Sequence, residues 1–456
     1  MRATTATATA GPAVMPLRAN RDFRLLWIGQ ALSDFGSAMT GLVLPLALLR
    51  SGYSTSATGT IGTAVLVTAM IVRMPAGYLT DRYSHRRLML TADLGRLVTV
   101  GAVAVWTFLD RLPIAVAVVT VVVAQLGVEL FRPSQNATVR RVVPAAQLGT
   151  AISMNQARAY AAGIVAPAVA GLLLAASLWL PFAIDALTYA VSALCVMALS
   201  RLAHRAGAGG TDDGTDGTDG TRAQRTGGTG RSDEAAKPDT AAGEPDTAGR
   251  ERFLPRLTAG LRYVVKNPFL RAVAGLAAGE NFVFQALAYA LLLGIGQEHD
   301  GAAAVGLAMS AAAVTGLTGS LIAPSLQRRW RMQTVMAAGP ALAGLMLAVA
   351  WFTGSGIAFA AGYSALCLLT PVNGAVFGTI LATTVPQDIY GRTTTALGFT
   401  AEILQPLGPL AAGLLLAYLS LSGIAALFAL AFALLAVLSL LLPSAPDSPG
   451  SAAVKA

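Results

Sequence analysis

The chain has 456 residues, of which 55% are hydrophobic and 12% charged, with a net charge of +9. Soluble domains carry roughly 25% charged residues, so this one lacks the polar surface to dissolve as a globule, and lipid is expected to cover most of its outside. The surplus of Lys and Arg stands at the ends of apolar segments, which marks membrane topology and excludes nucleic acid as the reason for the charge.

From the start, Met1 to Met15 is Ala/Thr-rich with one Arg and no apolar core, so it does not read as a cleaved signal. Twelve segments then reach the roughly 20 apolar residues that cross a bilayer. They are expected at 23–49, 57–80, 88–109, 112–132, 148–175, 179–199, 268–295, 302–326, 334–353, 356–382, 390–419 and 421–443. Uninterrupted apolarity, without the alternation of a barrel strand, makes these spans helices. Arg18, Arg21 and Arg24 precede span one, and Arg82, Arg86 and Arg87 follow span two. Arg140 and Arg141 follow span four, and Arg328, Arg329 and Arg331 follow span eight. All fall on one side of a twelve-span topology, which predicts cytoplasmic termini in the plasma (inner) membrane.

Between spans six and seven, residues of about 206–250 are Gly/Thr/Asp-rich, a composition that cannot bury enough apolar surface to order itself. The expected organisation is a disordered tail at 1–20, a six-helix half at 21–200, a cytoplasmic linker at 201–256, a second half at 257–443 and a tail at 444–456. The Asp-Gly steps of the linker match no calcium-loop spacing. Cys195 and Cys367 fall inside spans and read as free thiols.

The halves are repeats. At an offset of 242 residues Gly77 maps to Gly319, Arg86-Arg87 to Arg328-Arg329, Val143-Pro144 to Val385-Pro386, Gly149 to Gly391, Pro167 to Pro409, and Ala170–Ala175 to Ala412–Ala417. The fold class is therefore an all-α membrane protein of 12 transmembrane helices in two six-helix parallel repeats, an arrangement used by transporters that bind substrate between the halves. Gly163, Pro167 and Gly171 in span five, with Gly408, Pro409 and Gly413 in span eleven, are small or bending residues suited to close helix packing.

The loop after span two reads Gly77-Tyr78-Leu79-Thr80-Asp81-Arg82-Tyr83-Ser84-His85-Arg86-Arg87. It resembles the signature loop of the major facilitator superfamily, with Ser84 where the family usually has a second Gly. The resemblance implies the major facilitator fold and a conformational latch built on Gly77, Asp81, Arg82, Arg86 and Arg87. Ala323 stands where the second repeat would carry the matching Asp, so the full latch is expected in the first half alone. Phe131-Arg132-Pro133, Val142-Val143-Pro144 and Ser153-Met154-Asn155, with Asp93 and Arg96, resemble the drug:proton antiporter branch that contains macrolide and enterobactin exporters. Gly163–Gly171 looks like a degenerate antiporter motif. The resemblance implies export of a small amphipathic organic compound by proton antiport and alternating access.

Charge inside the membrane is costly, so each such residue is expected to be paired or functional. Asp34, Glu280 and Glu402 are the candidate proton-coupling acids, since a carboxyl group shielded from water can carry a proton. The family likeness places Asp34 and Glu280 across the central cavity from one another, and Arg158 is a possible counter-ion for Glu402. Asp93 with Arg96 and Glu129 with Arg132 are i,i+3 neighbours read as ion pairs, and Asp185 and Arg158 join the same group. Phe35, Tyr160, Phe282, Phe284, Tyr289 and Phe399 are candidate pocket liners. No Gly-Lys-Ser/Thr nucleotide loop is present and the three histidines are scattered over loops, so no cofactor, metal site or enzyme activity is expected. The partners expected are a small-molecule substrate, protons and the lipid bilayer, with no nucleic acid, for a monomeric protein. Two rival readings stay open: an importer or facilitator of a small nutrient on the same fold, and a non-transporting membrane scaffold or receptor.

Overall fold

A computed structural model describes residues 17–144, 147–199, 260–296, 301–385 and 389–443, without the side chains of Met74, Asp81, Ile380 and 382–384. The linker at about 206–250 and the C-terminal tail lie outside the described residues.

The first half comprises α1 (Arg21–Arg50), α2 (Thr55–Arg82), α3 (His85–Phe108), α4 (Ile114–Val142), α5 (Leu148–Ala176) and α6 (Leu180–Met197). The second comprises α7 (Pro268–Gly296), α8 (Gly301–Arg329), α9 (Met332–Thr353), α10 (Gly356–Thr384), α11 (Tyr390–Glu402), α12 (Leu407–Tyr418) and α13 (Leu421–Leu440). Counting α11 and α12 as one span, the described residues hold 12 helices long and apolar enough to cross a membrane, in the order the hydropathy predicts. Hydroxyl caps set several starts: Ser54, Ser355 and Ser420 accept from the amides of Ala57, Ala358 and Gly423.

Two details differ from the sequence expectation. Residues 17–20 are not tail. Leu17–Ala19 form a 3-10 turn with Leu17 buried, and Asn20 caps α1 while donating 2.7 Å to the Val142 carbonyl of α4. Span eleven is broken between Glu402 and Leu407, where Gln405, Leu407 and Gly408 bond three residues back. Pro406 and Pro409 each lack an amide hydrogen, and two such gaps one turn apart interrupt the helix. In the first repeat the offset gives Ile164 opposite Pro406, and α5 runs unbroken through Pro167.

Packing repeats with the sequence. α3 lies against α4 and α6 as α9 lies against α10 and α13, and α2 meets α4 as α8 meets α10. Between the halves α5 crosses α8 and α12 crosses α2, two contacts exchanged by the pseudo-twofold relation of the repeats. One continuous apolar core runs through both halves, and a smaller one at the arginine-rich end joins Leu17, Phe23, Leu26, Met89 and Phe131.

Candidate functional site

The two ends of the cleft between the halves are built differently. Away from the arginine-rich loops, the crossings are as close as backbones allow. A Cβ on Gly59 would collide with the Pro409 carbonyl, and one on Gly306 with the Pro167 carbonyl. Gly171 faces the Ala302 carbonyl, 2.7 Å from its Cβ position, and Gly413 faces that of Thr55. A hydroxyl fastens each crossing at the amide just after the proline: Ala168 donates 3.0 Å to Ser310 Oγ and Leu410 donates 3.2 Å to Thr63 Oγ1. The prolines and small residues of spans five and eleven are the same at both crossings, as the repeat requires. Their partners are not, because the 242 offset puts Val305 rather than Ser310 opposite Thr63. Toward the arginine-rich end the cleft loosens, and a Cβ on Gly77, Gly149, Gly163, Gly391 or Gly398 would meet nothing within 4 Å among the described residues. Gly77 and Gly163 thus pack against no facing helix among the described residues.

Inside the first half, Asp185, Thr188, Tyr189 and Ser192 share one face of α6 by their i, i+3, i+4, i+7 spacing. Asp93 binds Arg96 at 2.7 Å and accepts from Ser192 at 2.7 Å. The Arg96 guanidinium lies 4.6 Å from the Tyr189 ring centre and 5.3 Å from that of Phe131. The Tyr189 hydroxyl is paired with Ser37 on α1 at 2.8 Å. Asp185, fully buried, bonds the hydroxyls of Thr40 and Thr188 and has no ion pair among the described residues. It differs in this from the ion-pair expectation, because its face of α6 meets hydroxyls of α1 rather than a cation.

The three candidate acids separate into two kinds. Asp34 is tied to Arg158 of α5 at 3.1 Å and accepts from Gln30 at 2.8 Å, so Arg158 serves Asp34 and not Glu402. Asn155 supports Arg158 at 3.3 Å. Glu402, at the end of α11, is bound instead by Arg73 of α2 at 2.8 Å, across the cleft. Arg73 also reaches Glu129 of α4 at 3.9 Å, and Gln125 donates to Glu129 at 3.4 Å. No ion pair joins Glu129 to Arg132 among the described residues, and Arg132 is exposed. Glu280 on α7 is the remaining acid, and its Oε1 is buried with no hydrogen-bond partner among the described residues. Its neighbour Asn281 donates to the Ala401 carbonyl at 3.0 Å, just before the break in span eleven.

Of the loop residues, Arg86 donates 2.6 Å to the Met197 carbonyl and so closes the C-terminal end of α6, and Arg82 bonds the Tyr78 hydroxyl at 2.8 Å. Arg87 is exposed, and the Asp81 side chain lies outside the described set.

A cavity of about 170 Å³ opens between α1, α2 and α4 and is walled by Leu44, Leu48, Ile61, Val65, Val121 and Tyr289, with Ser37, Thr40 and Gln125 at its polar edge. Tyr289 comes from the second half, and its ring fits against Gly62, where a Cβ would overlap it. Of the other aromatic candidates, Phe284 stacks on Tyr363 at 5.4 Å, Phe35 and Phe282 pack against the core, Phe399 is half-buried and Tyr160 is exposed. Sequence reading missed Arg73, Ser37, Thr40 and Tyr189. A lone arginine in an apolar span was a legible signal for the first.

Comparison with known proteins agrees with this architecture. The profile of the Major Facilitator Superfamily matches residues 26–405. The multidrug efflux pump Tap of Mycolicibacterium fortuitum is 23% identical over 423 residues, covering 90% of this chain and 92% of that protein. Macrolide efflux protein A of Streptococcus pyogenes is 28% identical over 157 residues, 33% of this chain and 37% of its own length, so the match spans about a third of that relative. Among solved structures, the nucleoside transporter NupG superposes with a TM-score of 0.66 at 12% identity, over 92% of this chain and 99% of that one. A bacterial homologue of the iron transporter ferroportin gives 0.66 at 14% identity, over 93% and 99%.

Proposed function

The chain belongs to the Major Facilitator Superfamily, and from that premise we propose that it exports a small amphipathic organic compound across the plasma membrane in exchange for protons. It is a multi-pass membrane transporter and not an enzyme. On our reading the arginine-rich end faces the cytoplasm together with both termini. The loose end of the cleft then opens inward, and the Gly-Pro crossings form the outward seal. Alternating access consists of parting those crossings while the halves close at the arginine-rich end, where Asp81, Arg82, Arg86 and Arg87 act as the latch. A monomer contains both halves and suffices.

The observation that carries the proton reading is the sorting of the three acids. Asp34 and Glu402 each have an arginine within 3.1 Å, whereas Glu280 is partly buried, and its buried Oε1 has no hydrogen-bond partner among the described residues. An acid without a counter-ion in a low-dielectric site gains most from holding a proton. Glu280 is thus the coupling acid, and Asp34 and Glu402 are held in ionic contacts that the cycle makes and breaks. The names of the relatives, a macrolide efflux protein and a multidrug efflux pump, support export as the direction.

Everted membrane vesicles test this. With the lumen made acid, they should accumulate a radiolabelled macrolide above the level of vesicles lacking the protein, and collapsing the gradient should release it. Accumulation in right-side-out vesicles under an inward proton gradient, with none in everted ones, would make the protein an importer.

A further inference from the structure

Arg73 is an unusual investment for an apolar helix. It stands about two turns along α2 from the cavity-lining Val65, and its guanidinium reaches carboxylates of both halves, Glu402 at 2.8 Å and Glu129 at 3.9 Å. Two carboxylates share this one cation, so the cluster retains a net negative charge. It is also open, since the Arg73 and Glu402 side chains are 59% and 47% exposed. Gln125 connects it to the cavity, because the same side chain lines the apolar pocket and donates to Glu129 one turn further along α4. An apolar chamber joined through Gln125 to a pair of carboxylates has the form of a site for a molecule with a greasy body and one positive charge.

The geometry points to Arg73 as a tethered cation that occupies, in the empty protein, the place of the positive group of an amphipathic organic cation. The ligand's apolar body fills the chamber formed by Leu44, Leu48, Ile61, Val65, Val121 and Tyr289, and its cationic end takes Glu129 and Glu402 from Arg73. Displacement has a structural consequence. Arg73–Glu402 joins α2 to α11 across the cleft, while Glu129 belongs to the same half as Arg73. A ligand that displaces Arg73 therefore removes a cross-cleft ion pair and puts its own charge there, so occupancy of the site is felt by the contact between the halves. This inference rests on the transport reading for its role in the cycle, but not for the binding itself.

Equilibrium binding of radiolabelled trimethylphenylphosphonium, one ring with an exposed cationic end, to the purified full-length protein at pH 7.5, with no gradient and no membrane flux, separates the two. Neutral dimethylphenylphosphine oxide is the control of similar shape. Because Arg73 competes for the same carboxylates, Arg73→Gln should tighten phosphonium binding by about tenfold, the change that 1.4 kcal/mol produces. Glu129→Gln and Glu402→Gln should each weaken it by at least about tenfold. Glu129→Asp and Glu402→Asp, which keep the charge, should restore most of the affinity. The oxide should bind all variants alike, which also reports that each variant is folded. Weaker or unchanged phosphonium binding in Arg73→Gln, or full affinity in both glutamine variants, overturns the inference. Binding as expected in a protein that fails to export a macrolide would leave this site standing and remove the export reading instead.

Discussion

Where the first half buries Asp93 and Arg96 between α3 and α6, the repeat offset puts Val335 and Ala338 in the second. Arg158 likewise corresponds to Thr400, and Glu129 to Pro371. The same six-helix scaffold is thus filled in two ways. The first half is held partly by a chain of side chains running from Asp93 and Arg96 through Tyr189 to Ser37, with Asp185 and Thr40 alongside. The second is held by apolar contact around residues such as Val335, Leu347, Phe359 and Phe432. What the halves have in common, the Gly and Pro positions and the apolar pattern, is what the crossings and helix order depend on. The charges are therefore not needed to make the fold. They lie mostly in one copy of it, and in the second half Glu402 pairs with Arg73 of the first while Glu280 has no ion pair among the described residues.

This contrast can be broken most forcefully at its centre. Arg96→Ala leaves Asp93 buried with only Ser192 for a partner and should cost about 3–5 kcal/mol of stability, the usual loss when one member of a buried ion pair is removed. Thermal unfolding in detergent measures it. Asp93→Val with Arg96→Ala, which writes the residues of the second half into the first, should recover most of that loss. If the double variant is as unstable as the single one, the polar filling is integral to the first half and the comparison fails.

The crossings sharpen the common element. Gly59→Ala and Gly306→Ala each drive a methyl group into a backbone carbonyl that cannot swing away, and each should cost about 1–3 kcal/mol. The two should agree, since the contacts mirror each other, and both should raise the reactivity of cysteines placed at that end of the cleft. Gly163→Ala, which meets no facing helix among the described residues, should stay within about 0.5 kcal/mol of the parent. Smaller than the effect at the crossings, Ser54→Ala and Ser420→Ala each remove the hydroxyl that caps a helix start, at α2 and at α13, and should each cost about 1 kcal/mol in the same melting experiment. A loss several times larger at either position would mean that its hydroxyl does more than cap its own helix.

The fold was legible because its determinants are local or repeat. Twenty apolar residues cross a bilayer wherever they stand, and the spacing of Pro167, Gly171, Pro409 and Gly413 survives as a pattern along the chain. Even the break in span eleven was present as Pro406 and Pro409, although one continuous helix was expected there. The pairings were not legible, since they depend on which helix faces which. Asp93 and Arg96 meet within one helix and could be read from spacing. The i,i+3 spacing of Glu129 and Arg132 reads identically, yet tertiary structure supplies Arg73 to Glu129 and leaves Arg132 exposed. Asp34 and Arg158 lie on different helices, and nothing in the sequence chose between Asp34 and Glu402 as the partner of that arginine.

The claim on which the functional account rests is that Glu280 carries the proton while Asp34 and Glu402 do not. Proteoliposomes bearing the wild type, Glu280→Gln, Asp34→Asn or Glu402→Gln, loaded with a macrolide and examined with and without a pH gradient, test it directly. The account predicts that Glu280→Gln exchanges substrate down its concentration gradient but no longer concentrates it when the pH gradient is imposed, while the other two retain gradient-driven accumulation at a reduced rate. Wild-type accumulation by Glu280→Gln under the gradient would contradict it.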